Sequence, residues 1–210
     1  MKTNIDLASW NRREHFEFFS SMQEPYHGVV VNMDCTGVYQ HCKSQGQPFF
    51  LTYLYKTLQA ANDIQAMRLR IEGGAVVDYA QVHCNVTVAR PDRTFGFCSI
   101  DFDPDFARFV TPAQAAMQRV QASQGLGLAD VVVRDNDIHF STLPDIRFTG
   151  LTHARRFGST GAEPKISVGQ VFQNQDRWWM PFAVSVHHGL VDGQHVSDFL
   201  KRVEALFQKG

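Results

Sequence analysis

Long apolar runs are missing from this 210-residue chain. No segment reaches the roughly 18 consecutive apolar residues of a membrane-spanning helix. Met1-Lys2-Thr3-Asn4-Ile5-Asp6 opens the sequence without the apolar stretch of a secretory signal. Cysteine is scarce too. The four present, Cys35, Cys42, Cys84 and Cys98, show no Cys-x-x-Cys spacing, lie among apolar or strand-like residues and read as reduced core thiols. An excess of either charge is absent: the net charge of −1 gives no general field for nucleic acid or an anionic membrane. There is also no low-complexity run, internal repeat or Gly/Ser/Pro linker to divide the chain. With 44% hydrophobic residues, 1–210 can bury a substantial core as a single domain.

What the sequence does hold is concentrated near its C-terminus, in His187-His188-Gly189-Leu190-Val191-Asp192-Gly193. The preceding stretch, Trp178 to Val186, is β-branched and aromatic and reads as a strand that delivers two histidines at its exit. Beyond the motif, Val196, Phe199, Leu200, Val203, Leu206 and Phe207 recur at helical spacing, so the motif lies between a buried strand and an amphipathic helix. A strand exit joins a rigid backbone to side chains that reach a cleft. Histidine moves protons near neutral pH, so one of the pair suits the base of an acyl-transfer centre. Two adjacent histidines taken alone would read as surface or satisfied core residues; Asp192 and Gly193 at fixed offsets shift the balance. A metal reading, with His188 and Asp192 at i and i+4 and His195 following, is disfavoured by Gly193, which marks a turn or helix start, and by the lack of Cys or Glu at ligand spacing.

Periodicity predicts a short helix around 10–19, a strand at 29–33 and a helix at 48–62 with Pro48 in its first turn. Strands at 67–71 and 75–79 flank the hairpin signal Gly73-Gly74, and further strands follow at 85–90 and 95–100. A helix at 104–122, strands near 138–142, 165–172 and 178–186, and a last helix after Asp192 complete the pattern. Strands in runs beside packed helices give an α+β two-layer sandwich, a mixed β-sheet with helices packed on one face.

The His187–Gly193 segment resembles the HHxxxDG signature of the chloramphenicol acetyltransferase family. Related signatures occur in dihydrolipoyl acyltransferases, carnitine acyltransferases and peptide-synthetase condensation domains. Trp10-Asn11-Arg12-Arg13-Glu14-His15-Phe16-Glu17-Phe18-Phe19, however, resembles the N-terminal segment of the first family nearly residue for residue. The resemblance runs on through Met67–Ile71, Thr94-Phe95 and Phe140-Ser141-Thr142-Leu143-Pro144 into the final helix, with no insertion between Ser141 and His188. It implies a CoA-dependent acyltransferase fold and direct acetyl transfer from acetyl-CoA to a hydroxyl, most simply on chloramphenicol as an antibiotic-resistance reaction, without a metal. His188 is then the general base, its ring held by a hydrogen bond to its own carbonyl. Asp192 pairs with Arg12 to hold the catalytic loop, a pairing suited to the planar guanidinium fork. Ser141 stabilises the oxyanion and Ser167 positions a water. Phe18, Phe19 and Phe95 line the acceptor pocket. The resemblance also implies a homotrimer with active sites between subunits, and the lack of a signal or membrane-spanning stretch gives the expectation of a cytoplasmic protein, where acetyl-CoA is available.

Departures lie between Asp145 and Glu163, where the family has an apolar and aromatic run. Here the run is polar, with Asp145 in place of Trp, His153 where an apolar contact is expected, and Gly161 in place of an aromatic. A pocket with fewer apolar groups holds an aromatic antibiotic less firmly, at about 25 cal/mol per Å² of lost contact. A different hydroxyl acceptor is therefore a second expectation. A non-catalytic protein that sequesters drug or CoA is a third, opposed by the presence of His188, Ser141, Asp192 and Arg12.

Overall fold

A computed structural model describes residues 1–128, 131–155 and 161–209. In chain order the elements are β1 (Lys2–Asn4), α1 (Arg13–Ser20), β2 (Tyr26–Asp34), α2 (Thr36–Gln45), α3 (Phe49–Asp63), α4 (Gln65–Arg68), β3 (Leu69–Glu72), β4 (Ala75–Tyr79), β5 (His83–Ala89), β6 (Phe95–Ile100), α5 (Phe106–Ala122), β7 (Asp137–Thr142), β8 (Lys165–Val168), β9 (Phe172–Asn174), β10 (Arg177–His187) and α6 (Gly193–Gln208).

The main sheet has the order β2-β10-β8-β7-β5-β6, with β9 pairing to the start of β10. Its β5–β7 and β7–β8 pairs are parallel and the others antiparallel, so the sheet is mixed, as expected. Strand alternation sorts its residues onto two faces. Val86, Phe140, Ile166 and Val184 stand in one cross-strand row and are buried among the residues of α2, α3, α5 and α6. One residue along, Ser141, Ser167, Ala183 and Val30 form a row on the opposite face. Phe182 packs against Phe199 of α6, centroids 6.4 Å apart, and anchors the last helix on the core side. The helices therefore cover one face, the expected two-layer arrangement.

Several boundaries differ from the sequence pattern. Residues 67–71 do not form one strand: Gln65–Arg68 make a helical turn, and Arg68 ties it down by donating to the carbonyls of Asn62 and Tyr79. Gln, Ala, Met and Arg are all good helix formers, which suits that turn. The expected strand 165–172 breaks after Val168. Gly169 N–H donates to Pro181 O at 2.8 Å, but Pro181 has no N–H to return, so the β8–β10 ladder stops there and β9 forms a separate pair. Pro48 is the N-cap of α3 and lies just outside its first turn. Helix α2 and strand β1 were not expected. Hairpin β3–β4 turns at Gly73 and Gly74, with φ of 55° and 85°, and joins β1 in a separate three-stranded sheet.

All four cysteines are free and buried, as the sequence implied. Burial pushes the Cys35 thiol up to about 12, so it stays protonated and unreactive. Among the described residues, no helix is long and apolar enough to cross a membrane.

Candidate active site

His187 ends β10, and the chain turns through Gly189 before α6 begins. A Cβ at Gly189 would stand 3.1 Å from the His187 ring and 3.3 Å from Phe16 Cα, so this tight turn under α1 has little room for a side chain. His187 Nδ1 accepts the Gly189 N–H at 3.2 Å, and the ring packs edge-on to Tyr26. Burial and then the neighbouring His188 lower its pKa to about 4, which keeps this imidazole neutral.

His188 projects the other way. Its N–H donates to Pro25 O at 2.8 Å, and its ring stacks on Phe19 with centroids 3.8 Å apart and planes 6° from parallel. The His27 ring lies 4.3 Å away. Nδ1 of His188 is buried and has no hydrogen-bond partner among the described residues, so the expected bond to its own carbonyl is not formed. That carbonyl lies 3.4 Å from Arg12 Nη2, which donates to it. Aromatic stacking orients the ring here, and His188 lines the adjacent cleft.

The loop after His188 is held at its far end. Asp192 is the N-cap of α6 and accepts from the N–H groups of Gln194 (3.0 Å) and His195 (3.3 Å). His195 Nδ1 lies 3.3 Å from the Asp192 N–H and 2.8 Å from Oδ1, which closes a capping box with a histidine in the position usually held by Glu or Gln. The other carboxylate oxygen accepts from Arg12 Nη1 at the start of α1. Burial alone would raise the Asp192 pKa, but the hydrogen bonds from Arg12 and His195 outweigh it and hold the carboxyl at about 2.

A cleft of about 580 Å³ opens beside His188, between edge strand β2 and α6. Val29, Val31, Val196 and Leu200 give it apolar walls, with Lys201 and Glu204 also on its lining.

Ser141 stands elsewhere, on the sheet face opposite the helices. Its Oγ is 2.6 Å from Ser167 Oγ on the adjacent strand, and Ser167 Oγ is 3.0 Å from His153 Nε2. The parallel β7–β8 register brings the two hydroxyls abreast, and the loop after β7 folds back to add the histidine. Ser141 and His153 bound a second cavity of about 630 Å³ that Phe95, Phe97 and Leu128 line on one side and His139 and Lys165 on the other. Lys165 Nζ is 3.3 Å from His139 Nδ1. The polar loop is pinned further on: Arg155 pairs with Glu24, lies 4.4 Å from the Tyr26 ring centroid and donates to Ser185 Oγ at 3.2 Å. The end of that segment, Arg156–Gly158, falls outside the described residues.

Within one chain the expected site residues thus form two groups. Arg12, Phe19, His188 and Asp192 meet at the exit of β10, with Phe18 exposed beside Phe19. Ser141, His153 and Phe95 line the second cavity, and Ser167 is buried behind Ser141 and His153. Ser141 is aligned through Ser167 with Ala183, two strands across and five residues before His188. Strand geometry puts the two groups on the order of 15–20 Å apart. Sequence reading missed His27, which the β2–β10 register carries to His188, and the capping role of His195; the acidic N-cap three residues before His195 was the available signal. Among the described residues no group of three or more His, Cys, Asp or Glu side chains is placed to hold a metal ion.

Comparison with known proteins gives one consistent result. A family model described as chloramphenicol acetyltransferase matches residues 1–204. Chloramphenicol acetyltransferase 3 of Escherichia coli is 27% identical over 97% of this chain and 96% of its own length. A solved chloramphenicol acetyltransferase superposes with a TM-score of 0.90 at 32% identity, covering 99% of this chain and all of the other. A dihydrolipoamide acetyltransferase of Azotobacter vinelandii shares the fold at a TM-score of 0.71 and 16% identity, over 93% of this chain and 86% of that one.

Proposed function

This chain belongs to the chloramphenicol acetyltransferase family, and on that premise we propose that it transfers the acetyl group of acetyl-CoA to a hydroxyl of chloramphenicol, with His188 as the general base. As a family member it is an acyltransferase. The observation that carries the residue assignment is the separation of the two groups: His188 lines one cleft and Ser141, with Ser167 buried behind it, lines another cavity on the far face of the sheet. A single chain with this layout holds two half-sites. A homotrimer in which the His188 of one subunit faces the Ser141 cavity of the next completes three sites by one rotation.

Each chain acts as one acyltransferase domain, and its setting is the cytoplasm, where acetyl-CoA is made and used. The cleft between β2 and α6 suits the slender apolar arm of acetyl-CoA, with the thioester near His188 and the Lys201 ammonium available to a phosphate. His188 Nε2 takes the proton of the acceptor hydroxyl as its oxygen attacks the thioester carbonyl. The negative oxygen that forms accepts a hydrogen bond from Ser141; a single donor of this kind is commonly worth roughly 3 kcal/mol of barrier. Collapse breaks the carbon–sulfur bond, and the departing CoA thiolate takes the proton back from the imidazolium, so no acyl-enzyme is needed. Asp192 and Arg12 keep the loop in place, and Ser167 orders a water or the Ser141 hydroxyl. Phe18, Phe19, Phe95 and His153 form the acceptor surroundings.

Phe95, Phe97, Leu128 and Val131 make the second cavity mainly apolar, but Lys165, His139 and His153 on its lining favour a second reading in which the acceptor is a more hydrophilic alcohol. Thiol release from acetyl-CoA, measured with and without chloramphenicol, tests both. Chloramphenicol-dependent release that is abolished in His188→Ala is the expected result, with the variant retaining the parent's oligomeric state. Release that survives in His188→Ala removes His188 as the base; no release by a parent protein that still binds CoA moves the acceptor to another hydroxyl compound.

A further inference from the structure

Ser167 Oγ is fully buried and has two hydrogen-bond neighbours among the described residues, Ser141 Oγ on one side and His153 Nε2 on the other. It carries one proton, so it donates to one neighbour and accepts from the other. Two arrangements follow. Either the protons run from His153 through Ser167 to Ser141, and the Ser141 O–H points on into the cavity, or every proton is reversed and Ser141 turns a lone pair to the cavity. Hydroxyls are symmetric in this respect and take whichever direction their neighbours allow. The imidazole is not symmetric: its Nε2 is either a donor or an acceptor according to where the ring proton sits.

We propose that His153 is a positioning residue for the transfer reaction, donating from Nε2 to Ser167 Oγ so that Ser167 donates to Ser141 and the Ser141 proton is presented to the forming oxyanion. The assignment rests on the acetyl-transfer reading above and adds a specific control element to it. His153 approaches Ser167 from the loop that departs from the family pattern, so the relay gives the polar substitution there a role. Burial first, then the positive charges of Lys165 on β8 and Arg155 on the same loop, keeps the His153 ring below the usual histidine range. A neutral ring has one N–H to give, and the geometry places Nε2 at the serine. Ser167 thereby transmits an orientation, and the histidine itself need not touch substrate.

The decisive comparison is His153→Gln against His153→Glu. The two side chains have the same shape, but the amide can donate to Ser167 whereas the carboxylate only accepts and so forces the reversed arrangement. With chloramphenicol as acceptor, kcat for His153→Glu is expected roughly 10²-fold below that for His153→Gln, the scale of one lost oxyanion donor. KM for acetyl-CoA should change little in either variant. Repeating the pair in a Ser167→Ala background breaks the relay, and the Gln/Glu ratio should collapse to less than about threefold. Equal kcat for the two variants, or a ratio undiminished without Ser167, would overturn the proposal. A second measurement needs no turnover: nitrogen-15 spectra of histidine-labelled protein should show the His153 proton on Nε2 near neutral pH and a shift of that signal in Ser167→Ala. A bare Nε2 sinks the relay whatever the acceptor is, whereas an inactive parent with a protonated Nε2 sinks only the choice of chloramphenicol.

Discussion

At the scale of single residues, neighbours in the chain are set to opposite tasks. His187 is sealed in the interior, its Nδ1 occupied by the Gly189 N–H, and His188 opens to the cleft against Phe19. The depressed pKa of His187 makes stability depend on acid in a defined direction. The folded protein takes up this proton near pH 4 and the unfolded chain near 6.5, so the unfolded state binds more protons between those values. The stabilising contribution is complete above about pH 6.5 and is lost as the pH falls toward 4. By pH 5 the loss amounts to roughly 2 kcal/mol. His187→Asn can still accept the Gly189 N–H but does not titrate, and denaturant unfolding at pH 7 and pH 5 should differ by about that much less than in the parent; an unchanged difference removes His187 as the source. The motif made both histidines and Asp192 visible in the sequence, because their spacing is local. The stacking of Phe19 and the approach of His27 were not legible, since they depend on how α1 and β2 dock against β10, and no local pattern encodes that.

At the scale of elements, the N-terminus of α6 joins three contacts in one carboxylate. Asp192 caps the helix, meets His195 across the capping box and binds Arg12 of the α1 N-cap. Two substitutions separate the cap from the charge. Asn is as good an N-cap as Asp but cannot form the ion pair, whereas Ala loses both. Asp192→Asn should therefore remain about 1 kcal/mol more stable than Asp192→Ala in denaturant titrations. Both should lower kcat through displacement of the His188 loop. An Asn variant as stable and active as the parent would contradict any role for the pair with Arg12. Elements with strong periodicity, such as α3, α5, β6 and α6, were legible almost to the residue. Helix α2 was not, because Val38 and Cys42 are its buried residues and its sequence is otherwise polar with a glycine in the first turn. The break after Val168 was hidden for a different reason: it arises from a missing N–H on Pro181, in a strand 13 residues further along the chain.

At the scale of the whole molecule, the proposed mechanism divides one reaction between two faces of the sheet. Mixed assemblies test that division directly. His188→Ala and Ser141→Ala proteins, each nearly inactive, should regain about a quarter of parental activity after unfolding and refolding together in equal amounts, because random pairing gives one intact interface in four. No recovery would place both groups in one subunit's site. The α+β class and helix-covered sheet were readable from the succession of periods, but the strand order was not, since β10 enters the sheet between β2 and β8. That insertion matters before the protein is ever finished. Among the described residues of the main sheet, β2 is hydrogen-bonded to β10 alone, and Asp34 and Arg177, which pair across this seam, are 143 residues apart. A ribosome adding 5–20 residues per second leaves the first strand of this sheet unpartnered for roughly 7–30 s. During that interval a strand with the sequence Val29-Val30-Val31 waits with both edges open, so the newborn chain depends on whatever shields that segment until its second-to-last element emerges.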